Sequence, residues 1–377
     1  MKFALDAGGA SNTFARMAKK NLGLLVLTLL TLRATADEIT SLLEKARQSH
    51  HVAGLACLVL QDGQPATQFF SGRANLEWPS PVNAETVFEI GSVSKQFAAA
   101  SILLLAQDGK ISVDDRIGKF FTNVPAAWTN LTVRHLLTHT SGLKNYDGLD
   151  GFELRQHLTP AQFIARLAVQ PVNFAPGEKW AYCNSGYNLL GYIVENVSGK
   201  TYWDFLQQRI FTPLGMTNTT RRDPWLVIPH RAAGYEFKNG TQQARDYDLT
   251  DLFAAGAMVS TVNELAKWDA AMAGTNLLSA QSKQLWWTPA KLNSQQDVSS
   301  PRHGESGSYG FGWFLGSVNG HRNLGHSGIT SGFSAANELF PDDRLTIIIL
   351  SNTDEGTFAS DLANKVARAI LPIGRKN

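Results

Sequence analysis

Apolar positions recur along this chain in two rhythms, and the change from one to the other marks its organisation. Residues 37–50 put Ile39, Leu42, Leu43 and Ala46 on one face of a 3.6-residue period, which predicts an amphipathic helix. Val52 to Leu60 and Ala66 to Ser71 are short apolar-rich runs around Gln61-Asp62-Gly63-Gln64-Pro65, which predicts two strands and a turn. Phe97 to Leu105 is apolar with no polar face and predicts a buried helix. From about Lys110 to Leu292 the pattern predicts a mostly helical region, broken by clusters such as Pro125-Ala126-Ala127 and Ala175-Pro176-Gly177. Strand patterns then return. Gly312 to Val318 and His321 to Gly325 flank Asn319-Gly320, a strong hairpin signal, and Ser334 to Phe340 and Leu345 to Ser351 flank Pro341-Asp342-Asp343. Phe358 to Leu371 predicts a terminal amphipathic helix.

Strands near both ends with helices between them predict an α/β (α+β) architecture. One sheet is assembled from both ends of the chain (about 37–109 and 293–377), terminal helices cover it, and a helical subdomain (about 110–292) is inserted. Two such subdomains suit a shared cleft.

Composition changes the picture at the N-terminus. Lys19 and Lys20 precede the apolar stretch Leu22 to Leu32, and Ala34-Thr35-Ala36 fits a small-residue cleavage site. Residues 1–36 therefore read as a secretory signal, with Met1 or Met17 as start, and the mature chain is residues 37–377. The stretch is too short for an ordinary membrane span, so no stable membrane insertion is expected after cleavage. An exported protein follows, periplasmic or secreted. The leader carries Lys2, Arg16, Lys19, Lys20 and Arg33 against Asp6, so its removal takes the formal charge from +2 to −2. With no basic run either, nucleic acid is not an expected partner. Cys57 and Cys183 form no C-x-x-C pair and are expected as free thiols. His135 and His139 have i,i+4 spacing but lack the glutamate of a zinc peptidase. They are expected to cap a helix end and to bond a neighbouring carbonyl.

The candidate chemistry begins at Ser92-Val93-Ser94-Lys95, at the start of the buried helix. Residues three apart are neighbours on a helix, so Lys95 can reach the Ser92 hydroxyl. Burial disfavours a charged lysine, a neutral amine can take the serine proton, and the helix N-terminus favours the negative charge that develops. A second copy, Ser141-Gly142-Leu143-Lys144, follows a helix end, contains glycine and reads as a loop. In Tyr182-Cys183-Asn184, alternation along an extended segment turns Tyr182 and Asn184 to one side. A tyrosine near a lysine can ionise below its usual pKa and act as a base. In His326-Ser327-Gly328, the glycine lets substrate lie close to a strand, and the Ile329 N–H can join that of Ser92 in holding an oxyanion.

Taken in order, Ser92-x-x-Lys95, Tyr182-x-Asn184 and His326-x-Gly328 resemble the class C β-lactamase and penicillin-binding-protein-like serine hydrolases. Leu131 to Leu143, Asn188 to Gly199, Pro213-Leu214-Gly215-Met216 and Tyr309-Gly310-Phe311-Gly312-Trp313 extend the likeness over nearly the whole mature chain. The resemblance implies an antiparallel sheet flanked by helices, plus a helical domain, with the active site between them. It implies Ser92 as nucleophile of an acyl-enzyme, Lys95 as its activator, Tyr182 as proton shuttle and Asn184 as substrate-orienting residue. It implies no metal or organic cofactor, and it leaves open which of Lys95 and Tyr182 takes the first proton. True class C enzymes carry lysine where this chain has His326. A mostly neutral histidine weakens recognition of a substrate carboxylate. The expected substrate is thus a small-molecule or peptide acyl compound: a small ester, a D-amino-acid peptide or a β-lactam. Two other readings stand beside it. Gly325-His326-Ser327-Gly328 faintly resembles a lipase elbow, but G-x-S-x-G occurs nowhere in the chain. A non-catalytic cell-wall binding or assembly module would keep the fold without the reaction.

Overall fold

The computed structural model describes residues 36–122, 124–300 and 306–373. The expected signal segment falls almost wholly outside them. The elements that position the site are helix α1 (36–49), strands β1 (Gly54–Gln61), β2 (Gln64–Asn75) and β3 (Ser80–Pro81), and helices α2 (Ser94–Gln107) and α3 (Asn184–Ser198). They continue with strands β4 (Ser308–Tyr309), β5 (Phe314–Val318), β6 (His321–Thr330), β7 (Phe333–Phe340) and β8 (Leu345–Ser351), and helix α4 (Phe358–Ile370).

The strands form one eight-stranded sheet in the order β3-β2-β1-β8-β7-β6-β5-β4. Every neighbouring pair is antiparallel. The two ends of the chain meet where β1 pairs with β8, Leu55 opposite Ser351. The near-continuous apolar run of β1 follows from burial on both faces. Leu55, Cys57 and Val59 face a cluster with α1 and α4, while Ala56, Leu58 and Leu60 face the larger core around α2. In β8, Ile347 and Ile349 divide from Ile348 and Leu350 in the same way. The hairpin turns use the residues that positive φ demands: Asp62-Gly63 at 54° and 74°, and Asn319-Gly320 at 53° and 83°.

The region between the two halves is less helical than its pattern predicts. It holds short helices, a hairpin of Tyr235–Lys238 with Thr241–Ala244, and a three-stranded sheet of Phe88–Glu89, Met258–Ser260 and Thr220–Arg221. The hairpin turns on Asn239-Gly240, with φ of 54° and 79°. This is the same dipeptide signal as at 319–320, here beside exposed, polar strands that give no apolar run to notice.

Two close approaches place the reactive segment. Helix α2 is buried from Ser94 to Leu105, as an all-round apolar helix must be. Its start is a single 3₁₀ turn, Gly91–Val93, seated against β6. A Cβ on Gly328 would stand 1.8 Å from the Ile90 carbonyl oxygen and 3.0 Å from Ser92 N, and one on Gly91 would stand 2.7 Å from Ile329 N. Gly328 thus lets the strand press against the serine turn itself. The expected role, room for substrate beside the strand, is corrected accordingly.

Candidate active site

Ser92 sits in the turn before α2, partly exposed, and Lys95 lies fully buried in the first turn of that helix. Lys95 Nζ is 2.9 Å from Ser92 Oγ, 2.7 Å from Asn184 Oδ1 and 2.7 Å from the Ala255 carbonyl oxygen. None of these partners carries a formal charge. Burial therefore holds the Lys95 amine well below the usual lysine range. The bonding count fits the same state. Asn184 Oδ1 and the Ala255 carbonyl only accept, so they take the two N–H bonds of a neutral amine. Its lone pair is then left for the Ser92 hydroxyl.

Tyr182 and Asn184 converge on the lysine on either side of Cys183, whose backbone is extended (φ −142°, ψ 106°). Asn184 is the first residue of α3, and its backbone N–H donates to Asn145 Oδ1 at 2.7 Å. Cys183 precedes it, buried, facing the Leu143 carbonyl. The Tyr182 ring centroid lies 4.8 Å from Lys95 Nζ, and that of Tyr187 lies 5.4 Å away. The Tyr182 hydroxyl interacts with that of Ser92. The phenol keeps some exposed surface on the site, yet the surrounding protein pushes its pKa up, outweighing the contact with Ser92. The expected low-pKa tyrosine is corrected: a neutral amine nearby supplies no charge to stabilise a phenolate, so the phenol keeps its proton at rest.

On the other wall, β6 carries His326, Gly328 and Ile329. His326 is buried, with its ring centroid 6.1 Å from that of Tyr182. Its Nδ1 lies 2.6 Å from the Ser327 carbonyl and its Nε2 lies 3.1 Å from the Tyr309 hydroxyl. A carbonyl only accepts, so Nδ1 carries a hydrogen; Nε2 accepts from the phenol in the neutral ring and donates to it in the charged one. Ile329 is 47% exposed at the open side. The Gly91–Gly328 contact brings its N–H close to the Ser92 turn.

All seven predicted residues thus gather around the start of α2, the segment leading into α3, and β6. The second serine–lysine pair does not: Ser141 and Lys144 lie in a loop with Gly142 at φ 71°. Gly325 to Gly328 run straight within β6, so no lipase-type elbow exists there. His135 and His139 diverge. His135 Nδ1 accepts from Thr132 N as part of a capping box, whereas His139 turns away at φ 57° and bonds an amide, not a carbonyl. Both cysteines are buried and free, and burial pushes the Cys57 thiol up to about 12. Sequence reasoning missed the Ala255 carbonyl, Asn145, Tyr309 and His139. The first two act through a backbone atom and a lone loop side chain, which leave no pattern. Tyr309 stood inside a segment already matched to a family, without a role, and His139 stood in another with only a structural one.

The β-lactamase family profile matches residues 39–371, nearly all of the described chain. The chain belongs to the β-lactamase family. Among curated β-lactamase-family relatives, it is 30% identical over 354 residues to penicillin-binding protein 4* of Bacillus subtilis, covering 88% of this chain and 75% of that one. Among solved structures it is similar to the octameric penicillin-binding protein homologue from Pyrococcus abyssi (TM-score 0.73, 26% identity, 89% of this chain and 77% of that one). It also shares the fold of D-amino acid amidase from Ochrobactrum anthropi (TM-score 0.77, 24% identity, 90% and 98%). Membership of this family makes the protein a serine hydrolase acting on amide or ester bonds.

The state of Lys95 gives a direct test. Arginine stays protonated across the accessible pH range, so Lys95→Arg is expected to lower kcat/KM on an activated ester by about 10²–10⁴. In the unaltered enzyme the rate should rise with pH through the depressed lysine pKa, well below pH 10.5. Steady-state pH profiles check both. A fully active arginine variant contradicts the assignment.

Proposed function

We propose that the protein cleaves small esters or amides through an acyl-enzyme on Ser92, with Lys95 as the first base. The observation that carries this reading is the three-way bonding of buried Lys95 to Ser92, Asn184 and Ala255. Ser92 Oγ attacks the acyl carbon and its proton passes to the Lys95 lone pair. The negative charge on the carbonyl oxygen develops beside the Ser92 and Ile329 amides, at the N-terminus of α2. As the tetrahedral adduct collapses, the Tyr182 hydroxyl gives its proton to the leaving group, and Lys95 passes the proton it took to the Tyr182 oxygen. Both groups end as they began. A water then attacks the ester, losing its proton along the same path in reverse order, and Ser92 is released. Asn184 fixes the lysine and orients the acyl group.

Substrate class follows from His326. A histidine there is not the permanent cation that a lysine would be, which favours a small ester or an amide without a carboxylate at that position. A penicillin-reactive site is the second reading, favoured by the 30% identical relative whose name is penicillin-binding protein.

Intact-protein mass spectrometry after mixing with a p-nitrophenyl ester should find one acyl group on the wild type and none on Ser92→Ala. A serine-to-alanine protein that still turns over the ester refutes the proposal, and absence of hydrolysis of any acyl substrate favours a binding module. A penicillin run beside the ester decides between the two substrate classes. His326→Lys should raise kcat/KM for a carboxylate-bearing substrate by about tenfold or more, the scale of one charge-assisted hydrogen bond. No change in that ratio contradicts the role given to His326.

A further inference from the structure

Tyr182 lies on residues 179–183, which have no regular secondary structure. A proton-transferring group nevertheless has to be held closely, because small displacements cost large factors in rate. One residue supplies most of what holds it. The His139 carbonyl accepts from Ala181 N at 2.9 Å, and His139 Nδ1 accepts from Cys183 N at 3.0 Å. These bonds grip the chain on either side of Tyr182. The imidazole also packs on the phenol, with ring centroids 4.3 Å apart. Left-handed backbone at His139 (φ 57°) turns the chain out of the helix Val133–Leu137 as the side chain and carbonyl reach the same segment.

We infer that His139 is the positioning residue of Tyr182, acting as a permanently neutral imidazole clamp that does not touch substrate. The inference rests on the proton-transfer role of Tyr182 proposed above. An amide N–H only donates, so Nδ1 holds no hydrogen and the ring is the Nε2–H tautomer. Protonation would set Nδ1–H against Cys183 N–H and open the clamp. The groups facing the ring are Lys95, His326, Tyr182, Tyr187, Tyr309 and Cys183. Burial holds the imidazole well below its usual pKa. Nε2 is buried and has no hydrogen-bond partner among the described residues, and the imidazole packs among the rings of Tyr182, Tyr187 and Tyr309, with centroids 4.3, 5.0 and 4.7 Å from its own.

The test is a double-mutant cycle on p-nitrophenyl ester hydrolysis, using folded variants only. His139→Ala, which loses both acceptor and ring, should lower kcat by about 10²-fold with KM little changed. His139→Asn keeps an acceptor oxygen and tolerates positive φ, and should recover most of that loss. In a Tyr182→Phe background neither change should slow the enzyme further, because the group being positioned is gone. An undiminished His139 effect in that background shows a merely structural role and overturns the inference alone. A Tyr182→Phe enzyme at full rate overturns the proton role of Tyr182 and the inference with it. Should the His139 variants fail to fold, ¹⁵N spectra of the wild-type imidazole decide. A neutral His139 ring with bare Nδ1 at pH 7 is expected, and Nδ1–H or a charged ring contradicts the clamp.

Discussion

A primary amine with no counter-ion among the described residues, enclosed in protein and bonded to three neutral groups, is the constraint on which the rest of this molecule depends. Charge there is costly, because a buried ammonium is stable only with a paired anion or an exceptional set of acceptors. Lys95 has two obligate acceptors and a hydroxyl, which is the complement of a neutral amine. Chemical reactivity therefore arises from burial itself. The same packing that makes α2 the central helix also makes its lysine a base.

The architecture delivers each partner by a separate route. Helix α2 brings Ser92 and Lys95 on adjacent turns. Helix α3 begins at Asn184, so its first side chain meets the lysine. The short helix Phe253–Gly256 contributes only a carbonyl, from Ala255. Strand β6 closes the opposite side, and it can approach only because Gly328 and Gly91 have no side chains. Strand β6 belongs to a sheet that joins the chain's two ends where β1 pairs with β8, so the site rests on both ends of the chain. Chemistry here depends on a pairing between residues 55 and 351, near the two ends of the chain.

Much of this was legible in the residues, and the misses share a cause. Side-chain spacing on one element is readable, so Ser92 with Lys95, the buried helix and the 319–320 hairpin were all anticipated. Contacts between elements are not. The Ala255 carbonyl leaves no trace in sequence, and Gly328 announces a close approach without saying what approaches. Tyr182 is expected from sequence to ionise easily beside the lysine; with the lysine neutral and the phenol enclosed, the direction reverses. The region from 110 to 292 looked helical because its apolar residues fill a common core, whereas its small sheets have two- to four-residue strands too short to establish a period.

The most direct measurement is the titration of Lys95 itself. Protein labelled with ¹³Cε-lysine would be followed by NMR from neutral to alkaline pH, with the Lys95 signal assigned by its loss in Lys95→Arg. The account predicts a signal that titrates well below 10.5 and stands as the neutral amine while the exposed lysines are still charged. A Lys95 signal that titrates with the exposed lysines, or above them, would contradict the claim that burial turns this lysine into the base.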